Sequence, residues 1–320
     1  MRPSGKLHLG HLHGALSNWV GMQDTYDCFY FVADWHALTT EYENTSKIKS
    51  DTEEMVVDWL AAGIDPDKAT VFVQSRLPEH AELHLLLSMI TPLPWLERCP
   101  TYKEQLKEVK TRDLSTYGFL GYPVLQSADI LMYNADRVPV GEDQLPHLEL
   151  TREIARRFNN FYGNVFIEPQ ALLTKVPKMP GSDGRKMSKS YGNCIFLSDE
   201  PAEISKKISC YITDPARIHP TDAGHPDVCA LFELNRVYLD NCDEIADLCK
   251  AGKIGCVKCK KNLAEKVAAS LKPFQDRRKE IKKNPDMIKR ILETGTEKAR
   301  AEAHKTMAAV RKAVKLWNTE

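Results

Sequence analysis

Cys-Phe-Tyr-Phe-Val-Ala at residues 28–33 and Thr-Val-Phe-Val-Gln at residues 70–74 are two short apolar runs with high β-propensity. Unbroken apolar runs of this length are typical of strands that are buried on both faces of a parallel sheet. Between them, residues 46–62 have a helical period of apolar residues, with Gly63 as the expected end of the helix. Strand, helix and strand in this order predict a βαβ unit and therefore an α/β fold with a parallel sheet.

Upstream of the first strand, residues 3–20 form a polar stretch with three histidines and three glycines that continues into a helical pattern. The first amides of a helix are unpaired and its dipole favours an anion, so this junction can bind a phosphate group. Gly10 would allow a phosphate to approach the backbone, and His8 and His11 can donate hydrogen bonds to its oxygens. A glycine-rich turn with surface histidines is the alternative interpretation.

Downstream, Asp34-Trp35-His36 follows the first strand at its carboxyl end, where open α/β sheets bind their ligands. The sequence then predicts an interrupted helical region over residues 79–117 and a helix over residues 123–133. A short strand at 137–140 and a long helix over 142–161 follow.

Residues 175–193 are rich in proline and glycine and contain Arg-Lys-Met-Ser-Lys-Ser at 185–190. Such a segment cannot pack a core, and it predicts a mobile loop that carries three cations. Beyond about Pro201 no strand pattern recurs, and a final helix is predicted over residues 296–317. The change in composition at residues 190–201 predicts a domain boundary.

The overall composition limits the class of protein. A chain of 320 residues is long enough for two domains. Lys plus Arg and Asp plus Glu both number 44, so any surface that binds nucleic acid must be local. The sequence has no apolar run of about 18 residues and no signal peptide, which predicts a soluble, cytoplasmic protein without a membrane partner. Nine cysteines, an odd number, favour metal ligation or free thiols over disulfides.

Two motifs at opposite ends of the α/β half carry a family resemblance. His-Leu-Gly-His at 8–11 and Lys-Met-Ser-Lys-Ser at 186–190 together resemble the paired signatures of class I aminoacyl-tRNA synthetases. Tyr-Pro-Val-Leu-Gln-Ser-Ala-Asp-Ile-Leu at 122–131 and Val-Pro-Val-Gly-Glu-Asp-Gln at 138–144 are similar to the tryptophanyl-tRNA synthetases in particular. The resemblance extends over nearly the whole chain, although His11 stands where most of those enzymes carry Asn.

The resemblance implies a domain organisation. Residues 1–190 would form a Rossmann-type catalytic domain with a parallel sheet, and residues 191–295 a smaller all-helical anticodon-binding domain. A helix at about 296–320 would pack back on the catalytic domain, and two chains would form a homodimer. The resemblance also implies a first strand just upstream of Pro3, of which this sequence contains only Met1 and Arg2.

The resemblance further implies a reaction. L-tryptophan would be activated by ATP, with Mg²⁺, to tryptophanyl-adenylate and pyrophosphate, and then transferred to the tryptophan tRNA. Catalysis of this kind depends on positioning and on donors aimed at the phosphate oxygens. The resemblance assigns catalysis to His8, His11, Lys186 and Lys189. It assigns ATP binding to these four together with Arg2, Gly10, Gly141, Asp143, Met187 and Ser188.

For tryptophan binding, the resemblance assigns Asp129 as the acceptor of the indole N–H, a contact that gives strong selectivity. It places further residues around the substrate: Tyr122, Gln126, Gln144, His36, Val138 and Val140. Tyrosyl-tRNA synthetase is the nearest alternative, but its residue before the Asp tends to be aromatic, and Ala128 leaves room for a wider ring. A non-catalytic RNA-binding paralogue is a further alternative, although both signatures are intact.

Five of the nine cysteines lie between residues 229 and 259. Cys249, Cys256 and Cys259, with Cys229 upstream, resemble the iron–sulphur motif of a subset of tryptophanyl-tRNA synthetases. The resemblance implies that these four bind a [4Fe–4S] cluster, with Cys242 as a possible substitute for one of them. Zinc or free thiols are the alternatives. Neighbouring lysines supply a local basic patch: Lys253, Lys258, Lys260 and Lys261.

Overall fold

The computed structural model describes residues 1–108, 113–173 and 179–317. Its strands are β1 (Cys28–Val32), β2 (Ala69–Val73), β3 (Arg137–Val140) and β4 (Gln170–Leu173). Its α-helices are α1 (Leu9–His11), α2 (Ser17–Met22), α3 (Asp34–Glu41), α4 (Ile48–Ala62), α5 (Glu79–Ser88), α6 (Leu93–Glu97), α7 (Pro100–Glu108), α8 (Tyr117–Leu131), α9 (Leu145–Tyr162), α10 (Pro201–Ser209), α11 (Ala230–Tyr238), α12 (Cys242–Lys250), α13 (Cys256–Lys282) and α14 (Pro285–Val314). A π-helical turn covers Leu12–Leu16, and 3₁₀ turns cover Gln74–Arg76, Glu142–Gln144, Lys189–Tyr191 and Pro226–Val228.

The predicted βαβ unit is confirmed. β1 and β2 pair in parallel, from Cys28 opposite Ala69 to Val32 opposite Val73, and α4 connects them. α4 ends where Gly63 takes the left-handed conformation with φ 112°, which favours glycine over other residues. This arrangement places the carboxyl ends of β1 and β2 side by side.

A second parallel pair, β3 with β4, was predicted only in part. β3 lies at the predicted residues, whereas β4 was not foreseen, because Gln-Ala-Leu-Leu has neither β-branched nor aromatic residues. The backbone of Met1 extends the first sheet, since its N–H donates to the carbonyl of Phe31 and its carbonyl accepts from the N–H of Ala33. In the described part of the chain, the strands therefore form two separate parallel pairs.

The boundaries of α8 and α14 differ from the sequence prediction. α8 begins at Tyr117 rather than at Pro123, because the hydroxyl of Thr116 caps it by accepting from the N–H of Phe119. α14 begins at Pro285 and ends at Val314, so it is longer at its start and shorter at its end than predicted. Trp317, the last residue of the predicted helix, lies beyond the end of α14 and is 94% exposed.

Two apolar clusters join the first sheet to the later helices, one with α13 and one with α14. α13 packs against α4 and α10, and α14 packs against β2. The contact of α14 is close, because a Cβ on Gly295 would lie 1.9 Å from the carbonyl oxygen of Val71. Arg278 of α13 also forms an ion pair with buried Asp58 of α4 at 2.6 Å.

From Pro201 to Trp317 the described chain contains no strand, as predicted. None of the helices in the described ranges is long and apolar enough to cross a membrane. Residues 175–178 of the predicted lysine-containing loop and residues 318–320 of the predicted last segment lie outside the described residues.

Candidate active site

The first loop (residues 3–8) enters α1 through two histidines. Nδ1 of His8 accepts a hydrogen bond from the N–H of Gly10 at 3.1 Å, and Nδ1 of His11 accepts from the N–H of His8 at 3.2 Å. Because each Nδ1 is an acceptor, each neutral ring carries its proton on Nε2 and can donate it there. Burial lowers the pKa of His8 to about 4 and the pKa of His11 to about 3, so both rings are neutral at pH 7.

The space beside Gly10 is occupied by the ring of His8. A Cβ on Gly10 would lie 2.9 Å from Cε1 of that ring. The sequence interpretation explained Gly10 by the approach of a phosphate. In the structure, the capping position of His8 already requires a glycine here.

The lysine loop (residues 179–193) contacts the first loop through Lys189. Nζ of Lys189 donates to the carbonyls of Ser4 at 2.8 Å and Gly5 at 3.1 Å. Burial lowers the pKa of Lys189. Lys186 is exposed, whereas Met187 is buried in the core. Lys189 therefore fastens the lysine loop to the first loop, whereas Lys186 is open to solvent.

Asn193 organises the lysine loop and was not identified from the sequence. Its Oδ1 accepts from the N–H of Ser188 at 2.8 Å, and its Nδ2 donates to Asp183 at 2.7 Å and to the carbonyl of Lys186 at 3.3 Å. These contacts hold the backbone around the two lysines in one conformation.

A cavity of about 330 Å³ opens at the carboxyl end of β1. It is lined by six of the predicted site residues: Arg2, His36, Tyr122, Gln126, Asp129 and Gln144. The other lining residues are Met1, Phe31, Ala33, Thr39, Thr101, Gln105, Phe119 and His147. Val138 and Val140 are not among the described residues that line it, although β3 carries both. The structure thus brings together residues from distant parts of the sequence.

Asp129, in the wall of the cavity, accepts hydrogen bonds from three side chains. Its carboxylate accepts from Nε2 of His36 at 2.9 Å, from Nδ1 of His80 at 2.7 Å, and from Nε2 of Gln74 at 2.7 and 2.9 Å. Burial alone would raise the pKa of Asp129, but the hydrogen bonds from His36 and His80 outweigh burial and hold it well below its usual range. Asp129 is therefore ionised at neutral pH.

The wall of the cavity also contains a second polar cluster. The hydroxyl of Tyr122 lies 2.9 Å from Nε2 of His147, and Sγ of Cys99 lies 3.2 Å from the same nitrogen. Burial raises the pKa of Tyr122, so its hydroxyl stays protonated. The hydroxyl of Tyr122 can therefore act as a hydrogen-bond donor at this wall.

Gly141 and Asp143, two of the predicted ATP-binding residues, lie at the turn that precedes α9. Gly141 begins the 3₁₀ turn Glu142–Gln144, and its carbonyl accepts from the N–H of Gln144 at 3.0 Å. The exposed carboxylate of Asp143 accepts from Nε2 of Gln144 at 3.1 Å. Because Gln144 lines the cavity, Asp143 stands next to its rim.

Comparisons with known proteins identify the family of this chain. Residues 1–272 match the family described as tRNA synthetases class I (W and Y). The tryptophan–tRNA ligase of Thermotoga maritima is 52% identical over 99% of this chain and 98% of that protein, and the one from Aquifex aeolicus is 44% identical over 99% and 98%. The chain belongs to the tryptophan–tRNA ligase family. It is therefore a class I aminoacyl-tRNA synthetase.

A solved structure supports the same family. The tryptophanyl-tRNA synthetase from Campylobacter jejuni, complexed with ADP and tryptophan, is 34% identical, with a TM-score of 0.89 over 99% of this chain and 98% of that chain. These relatives of the tryptophan–tRNA ligase family decide against the tyrosine alternative raised by the sequence.

The cysteine-rich region of this tryptophan–tRNA ligase family member brings four thiols to one small cavity. Cys229, Cys249, Cys256 and Cys259 all line it, whereas Cys242 does not. Arg217 donates to Sγ of Cys249 at 3.7 Å and to Sγ of Cys256 at 3.9 Å. Within residues 1–108, 113–173 and 179–317, no group of three or more His, Cys, Asp or Glu side chains is arranged to hold a metal ion.

Several site residues of this family member were not identified from the sequence: Gln74, His80, His147, Thr101 and Gln105. Only Gln74 had a usable signal, because it follows β2 at the same sheet edge that led to His36. His80 and His147 lie inside helical patterns, where nothing in the spacing distinguishes a buried polar side chain from a solvated one.

Proposed function

We propose that this chain activates L-tryptophan with ATP and transfers it to the tryptophan tRNA through the two loops and the cavity described above. The observation that carries this proposal is the ionised Asp129 in the wall of a cavity of about 330 Å³. An ionised carboxylate only accepts hydrogen bonds, and the indole N–H only donates them. A substrate with a ring N–H is therefore selected over a ring without one.

ATP lies between the first loop and the lysine loop. A carboxylate oxygen of tryptophan attacks the α-phosphorus, a new P–O bond forms, and pyrophosphate leaves. Negative charge builds up on the α-phosphate and on pyrophosphate, and the Nε2–H groups of His8 and His11 donate to it from one side. Mg²⁺, when bound to ATP, neutralises further charge on the phosphates.

Lys186 and Lys189 act from the other side of the nucleotide. Lys186 is exposed and can reach a phosphate directly, whereas Lys189 exchanges the carbonyls of Ser4 and Gly5 for phosphate oxygens. The exchange moves an ammonium group from neutral acceptors to charged ones, which strengthens its hydrogen bonds. The role of Lys189 therefore changes from fastening the loop to stabilising the transition state.

The remaining predicted residues serve the two substrates. Tyr122, Gln126 and Gln144 surround the amino and carboxylate groups of tryptophan, and His36 lies beside Asp129. Arg2, Gly10, Gly141, Asp143, Met187 and Ser188 belong to the ATP side, with Asp143 on the ribose. Val138 and Val140 are carried by β3 and are not among the described residues that line the cavity.

The test of this function is exchange of pyrophosphate into ATP, measured with tryptophan and with tyrosine, followed by charging of tryptophan tRNA. We expect exchange with tryptophan only. Exchange with tyrosine, or exchange without tRNA charging, would contradict the proposal. The second outcome would favour an adenylate-forming paralogue.

The four cysteines of the small cavity provide ligands for a [4Fe–4S] cluster, with zinc as the alternative. Burial raises the pKa of Cys229, Cys249 and Cys259, so binding of a metal must displace thiol protons. Arg217 and Asn235 donate to the sulphurs, as expected around thiolates. A bound cluster would be held by Cys229 at the start of α11, by Cys249 of α12 and by Cys256 and Cys259 of α13, and it would link these helices near the basic patch.

The cluster is tested by purification without oxygen. We expect visible absorbance together with iron bound to the protein, whereas zinc content without colour would favour the alternative ion. A colourless, metal-free protein that folds normally would exclude both. The variant Cys242→Ser should retain the metal, since Cys242 does not line the cavity.

Residues 1–190 act as the catalytic domain and residues 191–295 as the anticodon-binding domain of a cytoplasmic homodimer. The side chains of Leu85, Met89 and Leu93 are 52, 71 and 58% exposed on and between α5 and α6, and they form an apolar surface for a second copy. Light scattering should give the mass of two chains, and Met89→Lys should reduce it to one.

A further inference from the structure

Beneath the cavity, the ring of His80 connects Asp129 to Tyr133. His80 is fully buried, with Nδ1 at 2.7 Å from Oδ1 of Asp129 and Nε2 at 2.7 Å from the hydroxyl of Tyr133. His80 does not line the cavity and has no part in the reaction described above. Both of its ring nitrogens are therefore used inside the protein.

The partners of His80 determine its tautomer. The carboxylate of Asp129 is an acceptor only, so Nδ1 of His80 carries the proton that it shares with Oδ1. Burial raises the pKa of Tyr133, and its hydroxyl keeps the hydrogen that it donates to Nε2. The chain of donors thus runs from Tyr133 through His80 to Asp129.

A second donor reaches Asp129 from the same buried side. Nε2 of Gln74 contacts both carboxylate oxygens, at 2.7 and 2.9 Å, and Gln74 is fully buried. On the cavity side, Oδ2 accepts from His36, which lines the cavity. A carboxylate has about four acceptor positions, and these contacts occupy them.

The N–H group of an incoming ligand can donate to Asp129 only if one of these three donors leaves the carboxylate. If His80 or Gln74 moved away, the buried carboxylate would lose a hydrogen-bond donor that nothing replaces. His36, in contrast, borders the cavity and can be replaced by the ligand. His80 and Gln74 therefore orient the carboxylate of Asp129 from its buried side, and Oδ2 is the oxygen that faces the ligand.

We propose that His80, together with Gln74, is a positioning residue that fixes the Asp129 carboxylate so that Oδ2 accepts the indole N–H in place of His36. The proposal rests on the tryptophan-activating function above. According to this proposal, the preference for a substrate with a ring N–H depends on His80, whose side chain does not contact the substrate.

Two amide variants of similar size separate the two contacts of His80. His80→Asn places its amide near the position of Nδ1 and keeps a donor for Asp129, whereas His80→Gln places its amide near Nε2 and keeps only the contact with Tyr133. Each is assayed by pyrophosphate exchange with L-tryptophan and with its benzothiophene analogue, in which sulphur replaces the N–H group. The readout is the ratio of the two kcat/KM values.

We expect the wild type to prefer tryptophan, and His80→Asn to keep most of that preference. His80→Gln should lose about ten- to a hundredfold of kcat/KM for tryptophan, mainly through KM, with little change for the analogue. Equal losses for both substrates would show a merely structural role and overturn the proposal. Equal use of both by the wild type would also overturn it.

A wild type that activates no tryptophan would instead refute the proposed function, so the two failures are distinguishable. If His80→Gln does not fold by circular dichroism, Tyr133→Phe serves in its place, because it removes only the far end of the donor chain. In Tyr133→Phe, the ratio of kcat/KM for tryptophan to that for the analogue should fall to a value between those of the wild type and His80→Gln. An unchanged ratio in Tyr133→Phe would count against the proposal.

Discussion

Replacing Lys189 by methionine should detach the lysine loop from the first loop as well as slow adenylate formation. Nζ of Lys189 donates to the carbonyl of Ser4 at 2.8 Å, to the hydroxyl of Ser4 at 3.2 Å and to the carbonyl of Gly5 at 3.1 Å. Methionine can form none of these hydrogen bonds. One hydrogen bond from a charged donor contributes about 1.5–3 kcal/mol. Losing even one of the three should raise the detached population of the loop about ten- to a hundredfold.

Hydrogen exchange of residues 185–193, followed by mass spectrometry, measures this detachment. Lys186→Met is the matched control, because it removes the same charge from an exposed position in the same loop. Both variants should lower kcat of pyrophosphate exchange by about 10²–10³, but only Lys189→Met should lose protection against exchange. Equal protection in the two variants would refute the fastening role of Lys189.

Three further predictions concern the substrate pocket, the core and the response to pH. Asp129→Asn should raise KM for tryptophan about ten- to a hundredfold in pyrophosphate exchange, and an unchanged KM would move Asp129 out of the pocket. Gly295→Ala should cost about 1–3 kcal/mol or more in thermal unfolding, because its Cβ would overlap a carbonyl of β2, whereas Gly21→Ala meets nothing within 4 Å and should be neutral. The pKa of His11 falls from 6.5 to about 3 in the folded chain, so the unfolded state binds more protons between these values and stability decreases as pH falls through them. His11→Asn keeps a hydrogen-bond acceptor but removes the titrating group, so its melting temperature should fall less than that of the wild type as the pH falls. An unchanged pH dependence of the melting temperature would contradict the lowered pKa of His11.

The βαβ unit could be predicted from the sequence because its pattern is local. Continuous apolar runs form β1 and β2, and the period of α4 with Gly63 at its end requires no knowledge of distant residues. β4 and the start of α14 escaped prediction for the opposite reason. Their positions depend on a partner strand and on packing against β2, neither of which leaves a period in the sequence.

The site followed the same division. Motif residues such as His8, Asp129 and Lys189 could be named from the sequence because a family resemblance carries them. The fastening of Lys189 to the carbonyl of Ser4 could not, since a hydrogen-bond partner 185 residues away has no local signature. The tautomers of His8 and His11 could not be predicted either, because they depend on the backbone geometry at the start of α1.

The sequence by itself therefore determined the fold class and the family, and it predicted which residues carry the chemistry. Only the tertiary structure decided how those residues are held: that Asp129 is surrounded by His80 and Gln74, and that four of the five clustered cysteines share one cavity. The physical reason is that apolar periodicity and motif spacing are properties of neighbouring residues. The direction of a buried carboxylate, in contrast, depends on donors that are brought together only when separate elements pack.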